Sequence, residues 1–306
     1  MNKDAERVVV GLGEVLWDCF ADSRRPGGAP ANVAFHAQQL GLRGMVCSRV
    51  GSDESGAELV HYLADRGLDT AAIQRDDRRP TGYVTVDSSD PARPFYVIHE
   101  DVAWDNLQFD AALERLAGEA SAVCFGTLAQ RSPQSRETIH RLLTAARDAL
   151  IVYDVNLRQS WYRRDWIERS LEASRVVKLN CDEVETLAVL LGVGSTQPTD
   201  FVAALQDRYG VETVCITRAE RGCLVIGPGQ EVDVPGLEVK VADAVGAGDA
   251  FTAALICGIL RGWPLASTAK FANRVGALVA GQPGAMPIFT QELSAAIDEA
   301  QARGNR

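Results

Sequence analysis

The sequence predicts a doubly wound α/β fold, with a mostly parallel sheet flanked by helices. Two observations support it. Short β-branched apolar runs alternate with helical stretches along the chain, the pattern of a parallel sheet whose crossovers are helices. Polar and ionisable residues also gather just after those runs, at the carboxyl ends of the strands, where ligands sit in such folds.

Val8 to Leu12 reads as the first buried strand, β-branched and followed by glycine. In GGAPANVAFHAQQLG, Pro30 suits a first helical turn, Val33, Ala37 and Leu40 share one face, and Gly41 stops the helix. GMVCSRVG is the next strand and SGAELVHYLADRG the next helix, with Ser55 as its expected cap. Residues 81–99 break the rhythm. Gly82–Val86 and Phe95–His99 flank a polar, Pro-containing turn, which predicts an antiparallel hairpin projecting from the main sheet. SAVCFG and LIVYDVN then surround the helix PQSRETIHRLLTAARDA, and VVKLN, the helix CDEVETLAVLLG and ETVCITRA follow. GCLVIG and EVDVPG form a second hairpin, and helices from Gly248, Leu265 and Thr290 complete the chain. The expectation is a single domain over residues 1–306 with a small β excursion at about 81–101.

The net charge of −10 argues against a general affinity for nucleic acid or for an anionic membrane. It leaves room for a small anion held by backbone amides. The seven cysteines are odd in number and form no CxxC pair, so buried free thiols are expected rather than a disulfide framework or a zinc ribbon. No signal pattern or membrane-length apolar run is present, and the cytoplasm is the expected compartment. Several chemistries lack their motifs. There is no GxxxxGK[ST], no GxSxG and no HExxH, and Phe251 and Leu16 stand where a third glycine would complete GxGxxG.

The stretch DAVGAGDAFTAALICGIL, residues 243–260, is the most informative. A Gly-Ala-Gly loop at a helix start leaves backbone N–H groups converging on one point, which with the helix dipole makes an anion site. Asp249 then stands beside the anion. It is either a helix cap or a general base that takes a proton from an attacking hydroxyl while the amides hold a phosphoryl group.

DAVGAGDAF resembles the DTxGAGDxF signature of the PfkB, or ribokinase-like, family of sugar kinases. GGAPANVAFHAQQLG is similar to that family's N-terminal signature, GSDESG to its G-x-D-x-x-G turn, NCDEVE to its N-x-x-E motif and GQPGAMP to its C-terminal ending. YDVNLRQSW and GEVLWD look most like the fructokinase branch. The resemblance implies a kinase that transfers the γ-phosphoryl of ATP to a hydroxymethyl group of a sugar. It implies Asp249 as the base and Gly246, Ala247 and Gly248 as the anion hole. It places Asp18, Gly28 and Asn32 on the sugar, with Asn156, Arg158, Tyr96 and Trp104 as further substrate contacts. Asn180, Thr217, Arg218, Gly222 and Asn273 fall on the nucleotide side. Asn180 and Glu183 match the pair that helps hold Mg²⁺, often through water, and Asp243 lies beside a monovalent-cation site, so K⁺ activation is implied. The hairpin becomes a β lid that closes over the sugar and pairs with a second subunit.

Each role has a structural alternative. Gly28 and Asn32 suit a helix start, Glu183 suits a first turn, and Glu14 reads as a satisfied buried acid. Arg158 has Asp154 as a structural partner, Trp104 suits the base of the lid, and His99 reads as a strand residue. The chain also departs from the family. Arg218 and Ala219 replace its leucine and glycine beside the nucleotide, and Ala244 and Val245 replace its threonine pair after Asp243. In the lid, Tyr96 is followed by Val97 and Ile98, then by Glu100 and Asp101, where kinases of 2-keto-3-deoxygluconate tend to carry Tyr-x-Arg. Two acids without an arginine disfavour a sugar acid, so a neutral sugar is expected, fructose first; Arg93 and Arg158 are the counter-argument. The alternatives are a 2-keto-3-deoxygluconate, ribose or nucleoside kinase, or a silent sugar-binding regulator of the same fold.

Overall fold

The computed structural model describes residues 3–87, 95–289 and 291–304. In chain order the elements are β1 (Val8–Leu12), β2 (Leu16–Cys19), β3 (Arg24–Gly27), α1 (Ala29–Gln39), β4 (Arg43–Gly51), α2 (Glu54–Asp65), β5 (Ile73–Asp76), β6 (Gly82–Asp87) and β7 (Phe95–Ile98). There follow α3 (Ala111–Glu119), β8 (Ala120–Phe125), α4 (Pro133–Ala145), β9 (Leu150–Asp154), α5 (Arg164–Glu172), β10 (Val176–Asn180), α6 (Cys181–Leu191) and α7 (Pro198–Tyr209). The chain ends with β11 (Thr213–Thr217), β12 (Cys223–Gly227), β13 (Gln230–Val234), α8 (Ala247–Leu260), α9 (Leu265–Ala280) and α10 (Gln291–Gly304).

Nine strands form the main sheet in the order β13-β12-β11-β10-β9-β8-β1-β4-β5. Pairs from β11 to β5 are parallel, and β12 and β13 extend the sheet as an antiparallel edge. Helices cover both faces. Val8, Val10 and Leu12 of β1 join the cluster built with α3 to α7, while Val9 joins the one built with α1, α8, α9 and α10. Burial on both faces is why β1 reads as a continuous apolar run rather than an alternation. Among the described residues no helix is long and apolar enough to cross a membrane.

The predicted hairpin forms as an antiparallel pair, with strands Gly82–Asp87 and Phe95–Ile98. Its connecting turn, including Arg93, lies outside the described residues. The small sheet is larger than expected, with four strands in the order β3-β2-β6-β7. Its other half, β2 and β3, is not legible as strand. LWDC is short, and RRPG is an arginine- and proline-bearing edge. Helix α2 is also capped two residues earlier than expected: Asp53, not Ser55, accepts the Gly56 N–H (2.7 Å) and also takes the Thr81 hydroxyl (2.6 Å). Ser55 instead anchors the small sheet, its carbonyl accepting the Trp17 indole N–H at 3.0 Å and its hydroxyl the Arg24 guanidinium at 2.9 Å.

Close backbone contact sets α1 on the sheet. A Cβ on Gly11 would overlap the Pro30 carbonyl, and one on Gly44 the Ala34 carbonyl. This approach brings the start of α1 against the segment after β1. Gly11→Ala is therefore expected to cost about 2 kcal/mol by forcing the layers apart. Gly118→Ala, in α3 with open space around it, is expected to gain about 0.5–1 kcal/mol from helix propensity. Urea denaturation of both variants checks the pair of signs.

Candidate active site

Asp154 ends β9, and Lys178 of β10 lies in register with it. Both are buried, and Lys178 Nζ sits 3.1 Å from Asp154 Oδ1 and 3.2 Å from Oδ2. Burial works against the ammonium charge, but Asp154, Glu183 and Asp249 outweigh it and hold the Lys178 pKa above its ordinary value. The Thr252 hydroxyl of α8 lies 2.9 Å from Asp154 Oδ2 and 3.0 Å from the Gly248 carbonyl. The sheet is thereby tied to the first turn of α8.

That turn opens on Gly246, the N-cap, at φ 81; a Cβ there would sit 2.6 Å from the Ala285 backbone. No side chain caps α8. Asp249 therefore is not a cap. Its Oδ2 accepts from Asn32 Nδ2 of α1 at 2.7 Å, across more than two hundred residues of chain. The Ala247 N–H bonds the Ala244 carbonyl at 3.3 Å. The Gly248 and Asp249 amides of the first turn have no partner within the helix. Burial pushes the Asp249 carboxyl up to about 6, Asp154 adds to this, and Asn32, Lys178 and Arg158 oppose it.

Further carboxylates face the same place. Asp18 is on β2, opposite Arg25 of β3 and Val84 of β6, on the face that carries the buried side chains of the small sheet. Burial raises its carboxyl to about 6, against Arg158 and Arg25. Glu14, directly after β1, is buried and raised to about 7, again by burial first. Arg158 is exposed, and its guanidinium is the cation felt in common by Glu14, Asp18 and Asp249. It does not pair with Asp154, because Lys178 holds that group. Gly28 starts α1 at φ 115, where a Cβ would lie 2.5 Å from the Glu14 carbonyl. Its conformation is thus required by the close approach. Asn156, at φ 40, lines a small cavity with Asp154, Gly126 and Pro30.

Other expected contacts stand elsewhere. Trp104 is fully buried, with its indole against Gly82 and the Arg131 guanidinium 4.0 Å from the ring centroid. It packs the base of the small sheet. Arg218 makes an ion pair with Asp233 of β13 and donates to the Cys223 carbonyl at 3.2 Å. These contacts tie it to the antiparallel edge. Gly222, at φ 85, allows that edge to close, since a Cβ would strike the Val234 carbonyl. Asn273 of α9 donates to the Pro235 carbonyl at 3.0 Å, and the Thr217 hydroxyl lies 3.4 Å from the Leu179 carbonyl.

Asn180 and Glu183 form a capping box on α6: Asn180 Oδ1 accepts the Glu183 N–H at 2.9 Å, and Glu183 Oε2 accepts the Asn180 N–H at 2.8 Å. The other Glu183 oxygen accepts the Leu157 N–H at 2.8 Å. Asp243 takes the Val245 and Gly284 N–H groups at 3.0 and 3.1 Å and lies 3.6 Å from the Arg25 guanidinium. Among the described residues no cluster of three or more His, Cys, Asp or Glu side chains is placed to hold a metal ion. In the small sheet, Tyr96 is exposed and its carbonyl accepts from Gln159 at 2.6 Å. Asp101 pairs with Arg79 at 2.6 Å, which removes one of the two free acids expected there. The residues missed in the sequence are Lys178 and Thr252. A lysine inside the apolar strand VVKLN is the signal for the first.

The model of the pfkB family of carbohydrate kinases matches residues 1–291, and the chain belongs to that family. It is 34% identical over 303 residues to a sugar kinase of Pyrococcus horikoshii, covering 91% of each chain. A fructokinase of Oryza sativa subsp. japonica is 30% identical over 315 residues, covering 94% of this chain and 95% of that one. The Pyrococcus horikoshii enzyme has been solved in complex with ATP. That structure superposes with a TM-score of 0.78 at 30% identity, over 94% of this chain and 99% of the other. The mostly parallel sheet between helices is the architecture shared with these neighbours.

Lys178→Met would leave the Asp154 carboxylate buried without its cation. A loss of about 3–5 kcal/mol in unfolding free energy is expected, read by denaturant titration at neutral pH, with Arg218→Met as a comparison at the sheet edge.

Proposed function

We propose that this carbohydrate kinase transfers the γ-phosphoryl group of ATP to a hydroxymethyl group of a neutral sugar, fructose first. The observation that carries the reading is Asp249, held by Asn32 at the amide-bearing start of α8. A carboxyl raised to about 6 is ionised at neutral pH yet basic enough to take the proton of a hydroxyl as it attacks. The sugar oxygen bonds to the γ-phosphorus, the bond to the β-phosphate oxygen breaks, and ADP leaves; the proton passes to Asp249 and then to solvent. The Gly248 and Asp249 amides, at the positive end of the helix dipole, meet the charge on the phosphoryl oxygens. The ATP complex of the Pyrococcus horikoshii relative supports the nucleotide, and the name of the rice relative supports the ketose.

The charge around the site supports a neutral acceptor. Glu14, Asp18 and Asp249 share Arg158, and the nearby Arg25 faces Asp243. A carboxylate on the substrate would enter a surplus of negative charge. Mg²⁺ is proposed as a companion of the nucleotide. Both Glu183 oxygens already accept backbone N–H groups, so this residue fits an outer-sphere contact through water and not a direct ligand. The Asp243 oxygens are engaged in the same way, so K⁺ would have to rest on backbone carbonyls. A homodimer through the small sheet is supported by the exposed Tyr83 and Val97 on its outer face.

A coupled ADP-release assay with ATP, Mg²⁺ and fructose, ribose, 2-keto-3-deoxygluconate and nucleosides, each with and without K⁺, tests the reading. Turnover fastest on a neutral sugar is expected. Turnover fastest on the sugar acid would overturn the charge argument, and binding without turnover would point to a regulator. Asp249→Asn is expected to lower kcat by about a thousandfold while sugar affinity by calorimetry stays within a few-fold; an active variant would return Asp249 to structure. Because the ionised form is the base, the wild-type rate should rise with pH through about 6 and level off above it. A rate that falls over this range would exclude a carboxylate base.

A further inference from the structure

Two buried acceptor atoms in the site have no partner among the described residues: Glu14 Oε2 and Asn32 Oδ1. Both residues are only 4% exposed. A buried oxygen without a donor is costly to retain, and these two belong to side chains that stand around one short stretch of backbone. Gly28 brings the start of α1 against the Glu14 carbonyl, and Asn32 follows one turn later, its N–H on the Gly28 carbonyl at 3.1 Å. Asn32 donates one N–H of its side-chain amide to Asp249, and its carbonyl oxygen, an acceptor only, is left without a donor. The charged groups that face Glu14 are Arg158 and Asp249, both part of the candidate site, together with the backbone amides of Glu14 and Ala29.

We infer that Glu14 is a specificity-determining residue whose Oε2, like Asn32 Oδ1 at the same start of α1, accepts a hydroxyl of the polyol substrate, directly or through one water. The inference rests on the sugar-kinase reading of the site. It gives this buried acid the task of recognising a donor that arrives only with the ligand. A sugar lacking that hydroxyl leaves the pair of oxygens unpaired again and is rejected, the strongest discrimination a polar site offers. The competing reading is that Glu14 is a structural acid stabilising the first turn of α1. The two differ in what removal of the charge does. A structural acid stabilises the free protein; an acid kept for a ligand burdens it. With its folded pKa raised to about 7 from an ordinary 4.5, the folded form is relatively stabilised below pH 4.5 and loses that advantage as pH rises through 7.

The test is Glu14→Gln in the full chain, with two readouts. Melting of the ligand-free variant at pH 8 is expected at a temperature equal to or above that of wild type. On the sugar preferred by wild type, KM for sugar is expected to rise about tenfold or more with KM for ATP unchanged. On one member of a deoxy-sugar series, wild type and variant should become equal. A lowered melting temperature, or the same variant-to-wild-type ratio on every deoxy sugar, overturns the proposal in favour of a structural acid. Should wild type phosphorylate no sugar, the kinase reading itself fails, and the melting comparison still decides whether Glu14 is structural.

Discussion

The buried pair between Lys178 and Asp154 is the constraint on which the site depends. It sits where two parallel strands end, and through Thr252 it fixes the first turn of α8 on the sheet. Two charges taken out of water are kept only if each is fully answered, and here the carboxylate meets both the ammonium and the hydroxyl. The same ammonium lies near Gly248, where a Cβ would come within 3.1 Å of Nζ. The ammonium and the carboxylate cancel as a pair, and Asp249 feels Asp154 more strongly than Lys178.

From this floor the acids are graded by their surroundings. Asp154 is neutralised by its lysine. Asp249, one helical turn before Thr252 on α8, has the Asn32 amide and more distant cations to set against burial and Asp154, and its proton affinity rises. Glu14 and Asp18 have Arg158 before them, an exposed side chain whose charge is partly spent on solvent. The result is a sheltered floor and a ring of reluctant carboxylates above it, one of which is held at the helix terminus where a phosphoryl group would be bound.

Much of the sheet was legible in the sequence because its strands are buried on both faces and its helices on one. Val8–Leu12 and Leu150–Asp154 could scarcely be read otherwise. The small sheet was half legible. Its hairpin alternates, with Val84, Val86 and Ile98 inward, but LWDC and RRPG owe their pairing to partners far along the chain and carry no pattern of their own. The site divides on the same line. Asp249, Asn32 and Asp18 lie in motifs whose local spacing is fixed by helix and strand. The packing of Trp104 and the ion pair of Arg218 were not legible because their surroundings are tertiary: an aromatic side chain beside a bare glycine, and an arginine facing an acid fifteen residues on across an antiparallel edge. Neither environment is written in the residues adjacent to them.

The unpaired oxygens of Glu14 and Asn32 fit into this picture as a consequence of the layer geometry. Glycines 11 and 44 let α1 approach the sheet at backbone distance, so little room is left at its start for water to solvate what lies beneath. A side chain caught there must find its donors in the protein or wait for a ligand that brings them. Asp53 shows the first outcome in the same layer, with Gly56 and Thr81 closing around it. Glu14 shows the second. The difference follows from what each faces. Asp53 joins a helix start to an adjoining strand, where amides and a hydroxyl converge, whereas Glu14 faces the opening shared by Arg158 and Asp249. One oxygen of that acid lacks a donor in the protein, and a hydroxyl donor is the group that supplies it.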